Sequence, residues 1–278
     1  MTASPTSHCR FALPLLVLAV AAPQSWAQIA IATSYTQNFD SLGTALPSGW
    51  GVWTSSTATG NGTAFTWSTA QVANNASFEV GGAFRNLPGA SQTWSEGLKT
   101  GTDRALGWRG DNAAARDGSL TFTLNDSNGY NFNSLTFHAF TPNSSGSTAT
   151  FDFQYQIGTT GTFTPFSPSI SYTTVSTAGS PPLTVTTISL TALDLAVINN
   201  RSSPITFRFN HAGTSGTDWN TLAVDNFSYA ASAVPEPSTY AAIFGAAALA
   251  AAAALALSDA KLAKKLDGYR AAQTKAVL

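Results

Sequence analysis

From Ala149 to Ile157 the chain alternates strictly. Ala149, Phe151, Phe153, Tyr155 and Ile157 are apolar, and Thr150, Asp152, Gln154 and Gln156 are polar. Successive side chains of a strand point to opposite faces, so a period of two specifies a strand with one buried face. The pattern recurs. Leu120, Phe122 and Leu124 are separated by Thr121 and Thr123. Leu135, Phe137 and Ala139 alternate with Thr136, His138 and Phe140, and Ile205, Phe207 and Phe209 with Thr206, Arg208 and Asn210. A last run covers Leu222 to Tyr229. Turn-forming clusters such as Asp126-Ser127-Asn128-Gly129 punctuate these runs. No long helical pattern precedes Tyr240. The expected fold is all-β, a jelly-roll-like antiparallel β-sandwich. No fixed-period repeat points to a propeller or solenoid. The stretch from Gly51 to Gly101, rich in Gly, Asn, Ser and Trp, is expected to hold short strands joined by long loops.

The two ends follow other rules. Arg10 precedes an uncharged apolar run, Phe11 to Ala22, that is too short to span a bilayer. Ser25-Trp26-Ala27 puts small residues where a signal peptidase reads. Residues 1–27 therefore read as a secretory signal peptide cleaved between Ala27 and Gln28. At the other end, Val234-Pro235-Glu236-Pro237-Ser238-Thr239 precedes Tyr240 to Leu257, which carries no charge. Lys261, Lys264, Lys265, Arg270 and Lys275 follow. Eighteen helical residues rise about 27 Å, close to the hydrocarbon thickness. The basic residues favour a cytoplasmic tail, which places the middle of the chain outside the cytoplasm. The resulting division is a signal peptide (1–27), a β-sandwich ectodomain (28–233) and a C-terminal unit (234–278). That unit comprises a motif (234–239), a transmembrane helix (240–257) and a basic cytoplasmic tail (258–278).

Charge and cysteine content exclude several chemistries. The ectodomain holds eleven acidic and seven basic residues, so nothing electrostatic favours nucleic acid. Cys9 lies within the signal peptide, so the mature chain has no disulfide, thiolate metal site or cysteine nucleophile. The abundance of Trp, Phe and Tyr argues for a packed core rather than disorder.

Val-Pro-Glu-Pro-Ser-Thr, then an apolar helix, then a basic tail, resembles the PEP-CTERM sorting signal. The resemblance covers about residues 233–265. It implies recognition and processing by an exosortase, with Val234, Pro235, Glu236 and Pro237 as the recognised element. It also implies a Gram-negative cell that makes extracellular polysaccharide. The same C-terminal segment is sometimes described in ice-binding proteins. Two prolines keep the backbone extended and remove two donors, so such a segment stays out of helix and sheet and remains open to a protease. Further landmarks resemble secreted bacterial jelly rolls and carbohydrate-binding sandwiches: Asn38-Phe39-Asp40, Leu46-Pro47-Ser48-Gly49-Trp50, Asp103-Arg104-Ala105-Leu106-Gly107 and Leu222-Ala223-Val224-Asp225-Asn226.

Candidate sites are few. First and last strands of a jelly roll often lie side by side, which would bring Asn38 and Asp40 near Asp225 and Asn226. Such oxygen ligands suit a structural calcium ion. The alternative is that Asp225 caps a turn and Asp40 begins a loop. Most of the ectodomain tryptophans are expected in the core. Trp67, Trp94 and Trp219 lie in polar, loop-like sequence and are the candidates for stacking on sugar rings. His138 is expected on an outward strand face and His211 in a loop. No His-x-x-x-His or Gly-x-Ser-x-Gly occurs, and no particular pair of carboxylates is brought together by spacing.

The reading is a non-enzymatic exported surface or matrix protein, sorted through its C-terminal motif. The alternative is a carbohydrate-binding module that contacts exopolysaccharide. A secreted hydrolase and an ice-binding protein rank behind both. The partners expected are signal peptidase, an exosortase, the membrane and exopolysaccharide, with no catalytic residue and no cofactor beyond calcium.

Overall fold

The computed structural model describes residues 28–67, 83–89, 102–109, 118–141, 150–173, 185–212, 221–235 and 237–276. The expected signal peptide, including Ala27, lies outside the described residues, as do Glu236, Trp94 and Trp219.

Twelve described strands form two sheets. In chain order they are β1 (Ser34–Gln37), β2 (Trp50–Thr54), β3 (Thr63–Ala64), β4 (Ala83–Pro88), β5 (Arg104–Arg109), β6 (Gly118–Leu124), β7 (Tyr130–Phe140), β8 (Thr150–Ile157), β9 (Thr164–Thr173), β10 (Thr186–Thr191), β11 (Ile205–Ala212) and β12 (Thr221–Ala233). The first sheet runs β10-β7-β12-β5-β4, with β1 also on β12. The second runs β3-β2-β6-β11-β8-β9. Every strand pairing is antiparallel. The expected jelly-roll-like sandwich is the fold observed.

The alternating runs produce this directly. In the second sheet Leu120, Phe122 and Leu124 of β6 face Phe209, Phe207 and Ile205 of β11, and Phe153 of β8 joins the row beside Phe209. All seven are at most 2% exposed. Phe209 meets Phe137 edge-on across the sandwich at 4.8 Å and 89°, and Trp50 meets Phe227 at 5.2 Å and 89°. Such pairs add about 0.5–1.5 kcal/mol each beyond area burial.

The first and last strands are neighbours, as the jelly-roll expectation required. β1 pairs with β12 from Ser34↔Ala230 to Gln37↔Phe227. β5 lies along the earlier part of β12, from Thr221↔Arg109 to Val224↔Leu106. The pairing of β12 with β7 slips between Asp225 and Ser228, and Asn226 there adopts φ +49°. A bulge thus sits where β5 ends and β1 begins.

After β12 comes one long helix, α1 (Pro237–Ala276). The sequence suggested that the helix ends at Leu257. It continues instead through the basic tail, because Ala, Leu, Lys, Arg and Gln dominate that stretch and all favour helix.

Candidate functional site

The exit from the sandwich is pinned and then abruptly freed. Val234 N–H donates to Gly129 O at 2.7 Å, in the turn between β6 and β7. Pro235 is exposed, and α1 opens on Pro237, the favoured residue for a first helical position. The Tyr240–Leu266 window of α1 is long and apolar enough to cross a membrane, and none of it is buried. Phe244 is 71% exposed and Leu249 74%. A helix this apolar contributes nothing to the sandwich core, so its partner is something other than the described part of the chain.

The residues expected to hold calcium lie on the segments that adjoin the bulge. Asn38 and Asp40 follow β1, and Asp225 and Asn226 sit where β5 gives way to β1. Asn38 Nδ2 donates to Asp40 Oδ2 at 2.6 Å. Arg104 N–H donates to Asp40 Oδ1 at 2.8 Å, which ties the loop after β1 to the start of β5. Asp225 is fully buried. Its Oδ1 accepts from Asn226 N–H at 2.7 Å, and Asn226 Nδ2 lies 3.2 Å from His138 Nδ1. Phe39, between Asn38 and Asp40, has φ +58° while wholly buried against Trp50. Two non-glycine residues, Phe39 and Asn226, are thus in left-handed conformation on these segments. The surrounding structure holds backbone here that it would otherwise avoid. The donors are hard oxygens of the kind calcium takes. Among the described residues no three His, Cys, Asp or Glu side chains converge to hold a metal ion.

The outer face of the second sheet carries a feature that sequence reading missed. Residues 55–62 leave β2, cross this face and return to β3. Arg208, 1% exposed, holds the strap. Its Nη1 donates to Thr57 O at 2.8 Å and to Gly60 O at 3.0 Å, while Nε and Nη2 grip Gln154 Oε1. The Phe163 ring lies 3.6 Å from the guanidinium carbon, and Phe163 N–H donates to Ala58 O. Burial pulls the Arg208 guanidinium well below its ordinary value, to about 10. The strap closes at Gly62 (φ +94°), where a Cβ would sit 2.1 Å from Thr54 O, so only glycine fits.

Beside the strap lies Trp53. It points outward on β2, is half-buried, and donates Nε1–H to Thr121 Oγ1 at 2.8 Å. Its indole occupies the space over Gly51, where a Cβ would be 2.8 Å from Thr121 Oγ1 and 3.0 Å from Trp53 Nε1. Across the same sheet the Trp53 row continues through Ser119, Asn210, Asp152 and Ser171. The outcome is an aromatic plate at the edge of a polar ladder. The signal was present in Trp50-Gly51-Val52-Trp53. Period two sends Trp50 and Val52 inward and Trp53 outward, with a glycine beneath it.

Trp67, expected as an exposed plate, is instead 8% exposed and donates Nε1–H to Gly43 O at 2.9 Å. Its polar sequence neighbours concealed this, because the cover comes from the chain near Leu42 and Gly43. His211, expected in a loop, lies in β11. It is buried with its ring 4.0 Å from that of Trp108, since pairing to Phe151 and Gly118 prolongs the strand past Asn210. His138 lies on the outer face of β7, so the two histidines share no site.

No family model and no curated protein matches this chain. Among solved structures it is similar to the family 11 carbohydrate-binding module from Clostridium thermocellum in complex with a β-1,3-1,4-mixed-linked tetrasaccharide. That match has 11% identity and a TM-score of 0.37, and covers 74% of this chain and all of that one. It is also similar to the K1 cleaved adhesin domain of Lys-gingipain from Porphyromonas gingivalis W83, at 14% identity and TM-score 0.36 over 71% and 98% of the two chains. A xylan-binding family 22 module matches at 12% identity and TM-score 0.34 over 70% and 92%.

Proposed function

We propose that this protein is a non-enzymatic, exported β-sandwich displayed outside the cytoplasm on α1 and sorted by an exosortase that recognises Val234-Pro235-Glu236-Pro237. One observation carries the reading. β12 hands over directly, through exposed Pro235, to an apolar helix of which no part is buried. Such a helix in water would expose several large apolar side chains, and a bilayer removes them from it. The short connector keeps the sorting motif in reach of a membrane enzyme. The test is the intact mass of the protein from each fraction of the producing cells. A species beginning at Gln28 and ending near Pro237 supports the proposal, and added mass there would identify what the exosortase attaches. A species that begins at Gln28 and retains Tyr240 to Leu278 in every fraction refutes the sorting step and leaves a plain anchor.

A second reading, contact with exopolysaccharide, is favoured by Trp53. A half-buried indole bonded to Thr121, in a row with Asn210 and Asp152, offers an apolar face for a sugar ring and polar groups for its hydroxyls. Affinity electrophoresis in the cell's own polysaccharide tests it. Trp53→Ala should abolish retardation, and equal mobility of variant and parent would end this reading.

Calcium belongs to the proposal as a structural ion, with Asn38, Asp40, Asp225 and Asn226 as the residues that would hold it. Its chemistry there would be to offset the buried Asp225 carboxylate and fix the bulge. Melting is expected at a lower temperature in chelator than in calcium. Coincident melting curves would remove the ion.

A further inference from the structure

The segment between β10 and β11 forms a short helical turn at the same end of the sandwich as the exit to α1. Leu195 N–H bonds to Thr191 O, and Ile198 N–H to Leu195 O. Leu195 and Ile198 are fully buried, which fixes the turn to the core. That leaves Ala192, Leu193, Ala196 and Val197 on the opposite side, all exposed, with Leu193 84% exposed. The spacing i, i+1, i+4, i+5 gives one continuous apolar tip. Among the described residues, the other exposed large hydrophobics lie on α1.

The tip is held rigidly. Ser127 Oγ–H donates to Ile198 O at 2.6 Å and accepts from Arg201 N–H at 2.8 Å. Asn199 Oδ1 accepts from Phe132 N–H at 2.8 Å, and Asn200 Oδ1 from Gly129 N–H at 2.8 Å. Gly129 O is also the acceptor for Val234 N–H. The turn and the chain's exit are therefore bonded to the same glycine. Two charged groups flank the tip. Asp194 is folded back, its Oδ2 accepting from Thr191 N–H and Thr191 Oγ1, both at 2.8 Å. Arg201 donates Nε and Nη2 to Val197 O and remains exposed, a cation at the rim of the patch.

We infer that this tip, Leu193 and Val197 with Arg201 beside them, docks into the outer surface of the bilayer that α1 spans. The inference rests on the membrane-anchored reading above. Reach argues for it. Three residue steps from Val234 to Pro237, at most fully extended, and three helical rises from Pro237 to Tyr240 span no more than about 15 Å in all. The headgroup layer is about 5–8 Å thick on each side. The Gly129 end of the sandwich is thus tethered at the headgroup level. The tip beside it meets lipid at an effective concentration of about millimolar or more, at which a weak contact suffices. Leucine and valine would enter the acyl boundary and Arg201 would meet phosphate, as in other interfacial segments.

The test uses the full chain in vesicles of equal phosphatidylethanolamine and phosphatidylglycerol. Single cysteines carrying an environment-sensitive dye are placed, in a Cys9→Ser background, at Leu193→Cys, Leu249→Cys and, as an exposed control, Thr187→Cys. Quenching by a shallow spin-labelled lipid is read at each. The expected result is quenching and a blue shift at positions 249 and 193 and neither at 187. Quenching at 249 with 193 as exposed as 187 overturns the docking inference and leaves the anchor intact. No quenching at 249 overturns the anchor, and the inference with it. Protection at 193 that appears only when an exosortase is added would assign the tip to protein rather than lipid.

Discussion

Arg208 is a cation on the face that period two directs to solvent, yet it is almost fully buried because the strap closes over it. Two strap carbonyls depend on its Nη1 protons. Arg208→Met keeps the bulk and removes the donors, leaving buried acceptors without their bonds. The expected cost is about 2–4 kcal/mol, with early proteolytic cleavage inside residues 55–62 as the specific sign. With its guanidinium at about 10, Arg208 stays protonated through neutrality, so its contribution should be constant from acid to mildly basic pH. Since the folded value lies below the unfolded one, the unfolded chain holds the proton longer. This group alone therefore raises stability as pH climbs above about 10 toward the ordinary arginine value. Gly51 tests the neighbouring plate. Gly51→Ala puts a Cβ against Thr121 Oγ1 and the Trp53 indole. It is expected to lift the ring and abolish polysaccharide retardation as fully as Trp53→Ala does, at a stability cost of about 1–3 kcal/mol.

At the scale of elements, the turn after β10 is set by Asp194. The hydrogen bonds it accepts from Thr191 hold its carboxyl below the usual value. A lowered folded value means that the stabilisation is present above the unfolded carboxylate range and is lost as pH falls through the folded value. Asp194→Asn should therefore loosen residues 191–197 at neutral pH and change little in strong acid, which amide exchange across the turn would read. Strands of this kind were legible beforehand because burial of one face writes itself into the chain at every second residue. Legibility stopped at what covers the other face. Nothing near Trp67 announces that Gly43 will accept its indole N–H, nothing near Arg208 announces the strap, and Asn210-His211 looks like a turn until its strand partners are known. The pairing of β1 with β12 was foreseeable only because the adjacency of first and last strands is a rule of the architecture. The Trp53 plate was readable in principle, but a stretch dense in Gly, Asn and Ser masked its alternation.

For the molecule as a whole, the proposed anchoring depends on a helix whose apolar run is mostly alanine, a weak membrane former. The lysines after it should therefore carry much of the stop signal. Replacing Lys261, Lys264 and Lys265 with Glu is expected to move unprocessed chain out of the membrane fraction, while the melting temperature of the sandwich stays unchanged. Unaltered fractionation would show that the alanine helix suffices alone. The position of β12 has a consequence in time. It is the last strand made and an inner strand of its sheet, flanked by β7, β5 and β1, and Tyr229 reaches back to Ala32 across 197 residues of chain. Contacts so distant in sequence are slow to form. On the proposed route of export, the first sheet cannot be completed until residues just ahead of the Pro-Glu-Pro segment have crossed the membrane. A chain threading outward would thus reach its final shape only as the proposed sorting motif emerges, so an enzyme acting at that motif would meet a domain that has only just finished folding.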